Sequence, residues 1–153
     1  MFIIFSLNVT KFFQTSGDVL QYAIPTIVGI QDIVPDFRND NFRSGVGKTI
    51  KICVLIGVQR YGCKFIKWLI PKKRPDGSDY ESFPSGHFMI GMQCSMRTFH
   101  RDGPHSFTFL LTLLGTAVIG LGRYLPMKHD VVDLTVGGML GAALGKGWND
   151  WVS

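Results

Sequence analysis

Three short strings of this chain together hold the residue types that phosphoryl transfer without a metal requires. They are K-W-L-I-P-K-K-R-P from Lys67 to Pro75, P-S-G-H from Pro84 to His87, and R-Y-L-P-M-K-H-D-V-V-D from Arg123 to Asp133. Lysine and arginine can hold phosphate oxygens, while histidines can act as nucleophile and as proton donor. The strings therefore predict hydrolysis of a phosphate ester at a site made of these residues: Lys67, Arg74, Ser85, Gly86, His87, Arg123, His129 and Asp133.

The third string carries the sharpest local pattern. His129 and Asp133 are four residues apart where a helix is predicted to begin, so both side chains project from one face. The carboxylate can then accept a hydrogen bond from one ring nitrogen, which fixes the tautomer and leaves the other nitrogen free to attack phosphorus. Taken alone, however, the pair is better explained as an acid at a helix N-terminus beside a partly exposed histidine.

The other two strings also have purely structural explanations. The P-S-G-H string places a hydroxyl and backbone N–H groups where a helix begins, which suits an anion, but Ser85 could simply cap that helix. The basic residues from Lys67 to Arg74 could anchor a helix end at a membrane interface, and Arg123 could do the same after its apolar segment. A functional site is favoured because all three strings are predicted to lie on one side of the fold.

Apolar periodicity predicts the helices that position these strings. Their predicted bounds are 48–70, 86–100, 105–122 and 128–151, and the segment 105–122 is about as long and apolar as a membrane span. Val19 to Val34 is interrupted by Pro25 and Gly29, so it predicts a broken or kinked helix, followed by a loop over 36–45. If consecutive helices run antiparallel, the three strings lie at the same end of the bundle.

Composition limits the class of protein. With 153 residues the chain is one domain, and a hydrophobic content of 46% with a mean hydropathy of +0.19 lies between soluble and obvious membrane proteins. The net charge of +5 suits an anionic surface or a phosphorylated substrate, whereas the scattered basic residues argue against nucleic acid. Cys53, Cys63 and Cys94 lie in apolar stretches without C-x-x-C spacing, which predicts buried thiols and neither zinc ligands nor disulfides. The last predicted helix has a small-residue face that permits close helix contact: Gly137, Gly138, Gly141, Ala142 and Gly145.

The combination of strings resembles the K-x6-R-P, P-S-G-H and S-R-x5-H-x3-D motifs of the type 2 phosphatidic acid phosphatase superfamily. That superfamily also contains vanadium-dependent haloperoxidases and glucose-6-phosphatase. The resemblance covers residues 67–133 of a single domain predicted over residues 1–153, and it departs at Gly122, where the third motif usually has Ser. It implies an all-α, membrane-embedded bundle of about four to six helices.

Carried over to this sequence, the resemblance implies metal-independent hydrolysis of a phosphate monoester or diphosphate on a lipid, through a phosphohistidine intermediate. His129 would be the nucleophile, Asp133 would orient it, and His87 would be the general acid that protonates the leaving alkoxide. The phosphate oxygens would be held by the remaining motif residues: Lys67, Arg74, Ser85, Gly86 and Arg123. Neither a metal nor a cofactor is expected, because the cations offset the developing charge.

Two other functions stay open at this point. A haloperoxidase-like enzyme would hold vanadate with the same residues, although such enzymes need a much larger helical scaffold. A non-catalytic membrane protein could retain the scaffold, although every principal catalytic position is filled here. The expected partners are a lipid phosphate substrate and membrane lipids, with a homo-oligomer allowed and no nucleic acid.

The apolar segments and the resemblance also predict a location. The protein is expected to be integral to a bacterial cytoplasmic membrane. Arg97 and Arg101 lie near the turn opposite the motifs, and positive charge in short loops usually marks the cytoplasmic side. The site is therefore expected to face the periplasm or the cell exterior.

Overall fold

The computed structural model describes residues 2–152, with side chains from residue 7 onward. Within that range the chain is all-helical, as the sequence predicts. The helices are α1 (Phe2–Arg38), α2 (Phe42–Leu69), α3 (Gly86–Asp102), α4 (Phe107–Tyr124) and α5 (Val131–Val152). The four helices predicted from periodicity correspond to α2 through α5, and α2 ends before Pro71 as expected.

The N-terminal half differs from the prediction. α1 runs without a break through Pro25 and Pro35, so a broken helix, one of the two predicted forms, is wrong. Ile24 and Val28 on either side of Pro25 are buried in the core, and this packing holds the helix together although proline removes one backbone hydrogen bond. Tertiary contacts therefore override a local helix-breaking signal.

The loop predicted over 36–45 is also wrong, because only a short turn separates α1 from α2. Asp40 adopts a positive φ of 56°, a conformation that Asp and Asn tolerate better than most residues. Asn41 then caps α2 by accepting a hydrogen bond from the backbone N–H of Ser44 at 3.4 Å. The polar residues taken for a loop are turn and cap residues between two antiparallel helices.

α3 lies in the centre of the bundle, between α4 and α5, while α1 packs along α4. The small-residue face of α5 lies against α3, as predicted. A Cβ atom at Gly137, Gly141 or Gly145 would collide with backbone oxygens of α3. These glycines therefore allow the two helix backbones to approach closely, which fixes the position of α5 relative to the start of α3.

The interior of the bundle is unusually polar. The hydroxyls of Thr98 and Thr112 lie 2.9 Å apart, and both side chains are buried. At the same end, Arg97 donates two hydrogen bonds of 3.0 Å to the carboxylate of Asp32, and Arg101 donates a third of 2.8 Å. Arg97 is only 4% exposed, so it is not the solvated loop charge on which the expected membrane orientation depends.

The cysteines follow the prediction in part. Cys63 and Cys94 are buried free thiols, whereas Cys53 is exposed on the surface of α2. The apolar neighbours of Cys53 in the sequence misled the prediction, because Val54, the next residue, is also exposed. In this chain, a side chain within an apolar segment of the sequence is not always buried.

Candidate active site

The structure brings the three strings together at one end of the bundle. The backbone N–H of Ser85 donates to the backbone oxygen of Asp133 at 3.0 Å, which joins the second string to the third. The Lys67 ammonium donates to the backbone oxygen of Glu81, and Asp76 donates its N–H to the carbonyl of Met127 at 2.9 Å. The antiparallel arrangement expected from the sequence therefore places all eight predicted residues in one region.

A short connection between α4 and α5 positions Arg123 and His129 relative to each other. The backbone oxygen of Arg123 accepts hydrogen bonds of 3.1 Å from the N–H groups of both Lys128 and His129. Met127 has a positive φ of 57°, which turns the chain back on itself. The Lys128 ammonium lies 2.6 Å from the carboxylate of Asp76, so this connection is also tied to the loop that carries Arg74.

His129 and Asp133 are both buried, with 3% and 0% of their surface exposed. The Nδ1 atom of His129 lies 3.7 Å from an oxygen of Asp133, which is within ion-pair range but too long for a hydrogen bond. This nitrogen is buried without a hydrogen-bond partner. The hydrogen bond expected from the spacing is therefore not formed, although the two groups face each other.

Other groups hold the Asp133 carboxylate. One oxygen accepts from the Lys72 ammonium at 2.8 Å, and the other accepts from the Ser82 hydroxyl and from the N–H of Asp130 at 3.1 Å. Lys72 also contacts Asp130 at 2.5 Å. Lys72 and Asp130 are not motif positions and were predicted to have no catalytic role, and Ser82 was not predicted as a site residue. These three residues nevertheless hold the carboxylate beside His129.

Asp133 is also an acid at the N-terminus of α5, as its structural explanation predicts. The N–H of Asp133 donates to the side chain of Asp130 at 3.0 Å, while the N–H of Asp130 donates to the side chain of Asp133. This reciprocal pair is a capping box at the start of α5. The D-x-x-D spacing was the signal that could have identified Asp130. The oxygen of Asp133 that accepts the capping hydrogen bond from Asp130 is also the one that lies 3.7 Å from His129, so one carboxylate takes part in both contacts.

Burial and nearby cations lower the pKa of His129. The pKa of His129 is lowered to about 4, first by burial and then by Lys67 and Arg74, while the Ser82 backbone and Asp133 act in the opposite direction. His129 is therefore neutral at pH 7, which is the form that can attack phosphorus.

Each predicted phosphate-binding cation already has a partner within the chain. Arg74 contacts the carboxylate of Asp79 at 2.6 Å, and Arg123 donates to the carboxylate of Asp18 on α1. Neither Asp18 nor Asp79 was predicted as a site residue. A phosphate that binds these cations must replace or share these carboxylate contacts.

The P-S-G-H string forms the first turn of α3. Ser85 occupies the N-cap position, but its side chain makes no capping hydrogen bond, so the simple capping explanation is wrong. The Ser85 hydroxyl is buried and has no hydrogen-bond partner. A buried hydroxyl without a partner is costly, which is consistent with a donor kept for an anion. Next to it, the Gly86 carbonyl accepts from Gln59 at 3.2 Å.

His87 follows in the same turn and is partly buried. Its pKa is lowered to about 4, first by burial and then by Lys67, Arg74 and Arg60. His87 is therefore neutral at pH 7 until an anion enters the site. A bound phosphate would offset the positive charges around the ring and raise this pKa, as a general acid requires.

The structure also explains the departure at Gly122. A Cβ atom at this position would collide with the backbone oxygen of Phe13 on α1. The serine usual in the resembled motif does not fit here unless α1 moves. Gly122 therefore lacks the hydroxyl donor of the usual serine, but it allows close contact between α1 and α4.

We expect Gly122→Ala to destabilise the fold by about 1–3 kcal/mol, because the added methyl group overpacks two helix backbones. The measurement is the free energy of unfolding. Gly57→Ala is the matched control, since Gly57 has open space around it within α2. The control should be neutral or stabilising by up to about 1 kcal/mol. Equal effects of the two substitutions would contradict the close contact at Gly122.

A cavity of about 530 Å³ opens beside this region, between α1 and α2. At the site it is lined by Lys67, Gly86 and His87, and away from the site by residues of α1 and α2 such as Ile30 and Ile52. The cavity is thus polar at the end that Lys67 and His87 line and largely apolar along its length. Its shape allows an apolar chain to lie between the helices with a polar group at the site.

Comparisons with protein-family models, with curated proteins and with solved structures find no match to this chain. The family resemblance therefore depends on the three strings of the sequence alone.

Proposed function

We propose that this chain is a metal-independent phosphatase of the type 2 phosphatidic acid phosphatase superfamily that acts on a lipid phosphate. The observation that carries the proposal is the convergence of two histidines, three cations and a buried, unpartnered serine hydroxyl at one end of the bundle. Structural roles do not explain why Ser85 is buried without a partner or why buried His129 lies among cations.

In the proposed reaction, Lys67, Arg74 and Arg123 bind the phosphate oxygens, with the Ser85 hydroxyl and the Gly86 amide as further donors. The neutral ring of His129 attacks phosphorus, and His87 donates a proton to the leaving oxygen of the lipid alcohol. Water then attacks the phosphohistidine, which releases phosphate and restores His129. Asp133 stabilises the positive charge that develops on the His129 ring.

A membrane location is supported by the distribution of polar and apolar groups. Of the helices that the structure describes, α4 alone is long and apolar enough to span a membrane, and 39% of that segment is buried in the bundle. Its outer face exposes large apolar side chains, such as Leu110, Leu111 and Leu114, each more than half exposed. An apolar surface around interhelical Ser and Thr contacts is typical of proteins in lipid. We therefore propose an integral membrane protein whose site lies at the end of α4. The periplasmic or external orientation stays part of the proposal and now depends on Arg101 alone, whose side chain is 20% exposed.

The cavity supports a lipid substrate over a soluble phosphate ester. Its mostly apolar walls lead from the outer surface of α1 and α2 to Lys67 and His87. A hydrocarbon chain could occupy this space while its phosphate reaches the cations. No contact of the site favours the haloperoxidase or the non-catalytic alternative.

The proposal is tested by release of inorganic phosphate from a panel of lipid phosphates: phosphatidate, phosphatidylglycerol phosphate, an isoprenoid diphosphate and a lipid A phosphate. We expect at least one substrate to be hydrolysed equally well with and without EDTA, and orthovanadate to inhibit because it can adopt the transition-state geometry. A strict requirement for added magnesium, or no hydrolysis of any member, would contradict the proposal.

The lowered pKa of His87 predicts an unusual pH dependence. For a substrate with an alkoxide leaving group, we expect kcat/KM to be greatest at acidic pH. In the free enzyme His87 has a pKa of about 4, so its protonated fraction falls about tenfold for each pH unit above that value. His129, whose pKa is also about 4, stays neutral over the same range and does not limit the reaction. The measurement is the pH profile of kcat/KM between about pH 5 and 8.

A nitrophenyl phosphate ester is the control substrate for this profile, because its leaving group needs no proton. Its phosphate ionises at a lower pH than that of an alkyl ester, so the second pKa of each substrate is measured separately and each profile is corrected for it. We expect the control to lack the additional fall, and His87→Ala to remove that fall for the alkyl substrate. The same slope for both substrates would show that His87 is not the general acid.

A further inference from the structure

Asp18 on α1 lies against two of the groups assigned to the proposed phosphate site. One oxygen of its carboxylate accepts from the Arg123 guanidinium and lies 3.8 Å from the Nε2 atom of His87. No motif contains Asp18. Its contacts with one proposed phosphate ligand and with the proposed general acid nevertheless place it at the reacting centre.

The packing of α1 on α4 determines where Asp18 lies. Besides the contact of Gly122 with Phe13, a Cβ atom at Gly17 would approach the Cα atom of Ile119 to 3.3 Å. Asp18 follows Gly17 directly, just as Arg123 follows Gly122. The two glycines thus bring the backbones together and set the carboxylate opposite the guanidinium.

The two partners differ in their access to water. The Arg123 side chain is only 8% exposed, so its charge requires an anion within the protein. The Asp18 side chain is 46% exposed, so its carboxylate can turn into solvent at modest cost. An incoming phosphate can therefore replace Asp18 as the partner of Arg123 while the Asp18 carboxylate becomes hydrated. When phosphate leaves, Asp18 can form the ion pair with Arg123 again.

We propose that Asp18 is an internal counter-ion that competes with phosphate for Arg123 and so promotes release of the inorganic phosphate product. This inference rests on the proposed function, because it assumes that Arg123 binds phosphate. Three cations around one phosphate would otherwise hold the product tightly, and product release often limits turnover. The carboxylate weakens phosphate binding both by occupying Arg123 and by repelling the bound anion.

The test is the affinity of the purified full-length chain for inorganic phosphate, measured by isothermal titration calorimetry at constant ionic strength. Asp18→Asn keeps the shape of the side chain and removes its charge. We expect it to bind phosphate roughly tenfold more tightly than the wild type. Asp18→Ala should show a similar gain, because the effect depends on the lost charge.

Asp40→Asn is the matched control. Asp40 is exposed in the turn after α1, about 33 Å along the helix direction from Asp18 at 1.5 Å per residue, and its positive φ suits Asn. Asp40→Asn removes the same charge as Asp18→Asn, but it does so far from the site. Its phosphate affinity should therefore equal that of the wild type. An equal gain in Asp40→Asn would show a general charge effect and would overturn the proposal.

The remaining outcomes separate this inference from the proposed function. If the wild type binds phosphate and Arg123→Ala loses that binding, the site is correct. In that case, an unchanged or weaker affinity in both Asp18 variants overturns only the proposal that Asp18 competes with phosphate for Arg123. A weaker affinity would indicate that Asp18 orients Arg123. If neither the wild type nor the Asp18 variants bind phosphate, the proposed phosphate site is wrong, and the role of Asp18 is overturned with it.

Discussion

Replacement of His129 by alanine is expected to abolish the covalent phosphoenzyme and to lower turnover by at least about 10⁴-fold with every substrate. His129 is the buried, neutral ring that faces Asp133 among the cations of the site. In the proposed mechanism the other motif side chains bind phosphate, apart from Asp133, which stabilises His129, and His87, which is assigned to the leaving group. The measurement is rapid acid or base quenching after mixing with radiolabelled substrate, followed by isolation of the protein. The wild type should carry an acid-labile, base-stable label, as expected of phosphohistidine.

His105→Ala is the matched control for this substitution. His105 is exposed in the turn between α3 and α4, at the opposite end of the bundle. The control should form the phosphoenzyme at the wild-type level. An acid-stable label typical of phosphoserine, or a normal label in His129→Ala, would show that the mechanism is wrong even if the protein proved to be a phosphatase.

The second large effect is expected for Asp133→Asn, which should lower turnover by roughly 10³-fold or more. The amide keeps the shape of the carboxylate but no longer offsets the positive charge that develops on His129. It also loses the ion pair with Lys72, which is formed at 2.8 Å. The measurement is kcat for the best lipid substrate, with circular dichroism and thermal unfolding to verify that the variant is folded.

Asp130→Asn separates catalysis from helix capping. Asp130 shares both Lys72 and the capping box with Asp133. Its carboxylate contacts Lys72 and the N–H of Asp133, whereas the Asp133 carboxylate is the one that faces the His129 ring. The Asp130 side chain is 40% exposed and that of Asp133 is fully buried, so the Asp130 variant should lose less stability than Asp133→Asn and should keep most of its activity. If Asp133→Asn is as active as Asp130→Asn, then Asp133 serves the helix N-terminus alone and does not act on His129.

Local patterns in the sequence were sufficient for much of the fold. The apolar periodicity of α2 through α5 predicts these helices, because one face of each must be covered by its neighbours whatever the topology. The glycine face of α5 likewise predicts close packing, since Gly137, Gly141 and Gly145 recur at helical spacing. The polar turn around Asp40 and the continuity of α1 through Pro25 were missed, because they depend on neighbouring helices.

For the candidate site, the residue types and spacings of the three strings were enough to select the eight predicted positions. Alternation of helices and short connections then implied that these positions lie at one end of the bundle, because antiparallel helices return the chain to the same side. Both inferences use only the order of residues along the chain.

Only the tertiary structure revealed the groups that adjust the chemistry. Lys72 and Ser82 donate hydrogen bonds to the carboxylate oxygens of Asp133, and Arg123 donates one to the carboxylate of Asp18. Asp18 precedes Arg123 by 105 residues in the chain, and no local pattern links them. The physical reason is that charge pairing and desolvation depend on which groups are brought within a few ångströms of each other. The sequence by itself determined which side chains are candidates for the proposed reaction, whereas the packing of α1 on α4 and of α5 on α3 decided which charges surround them.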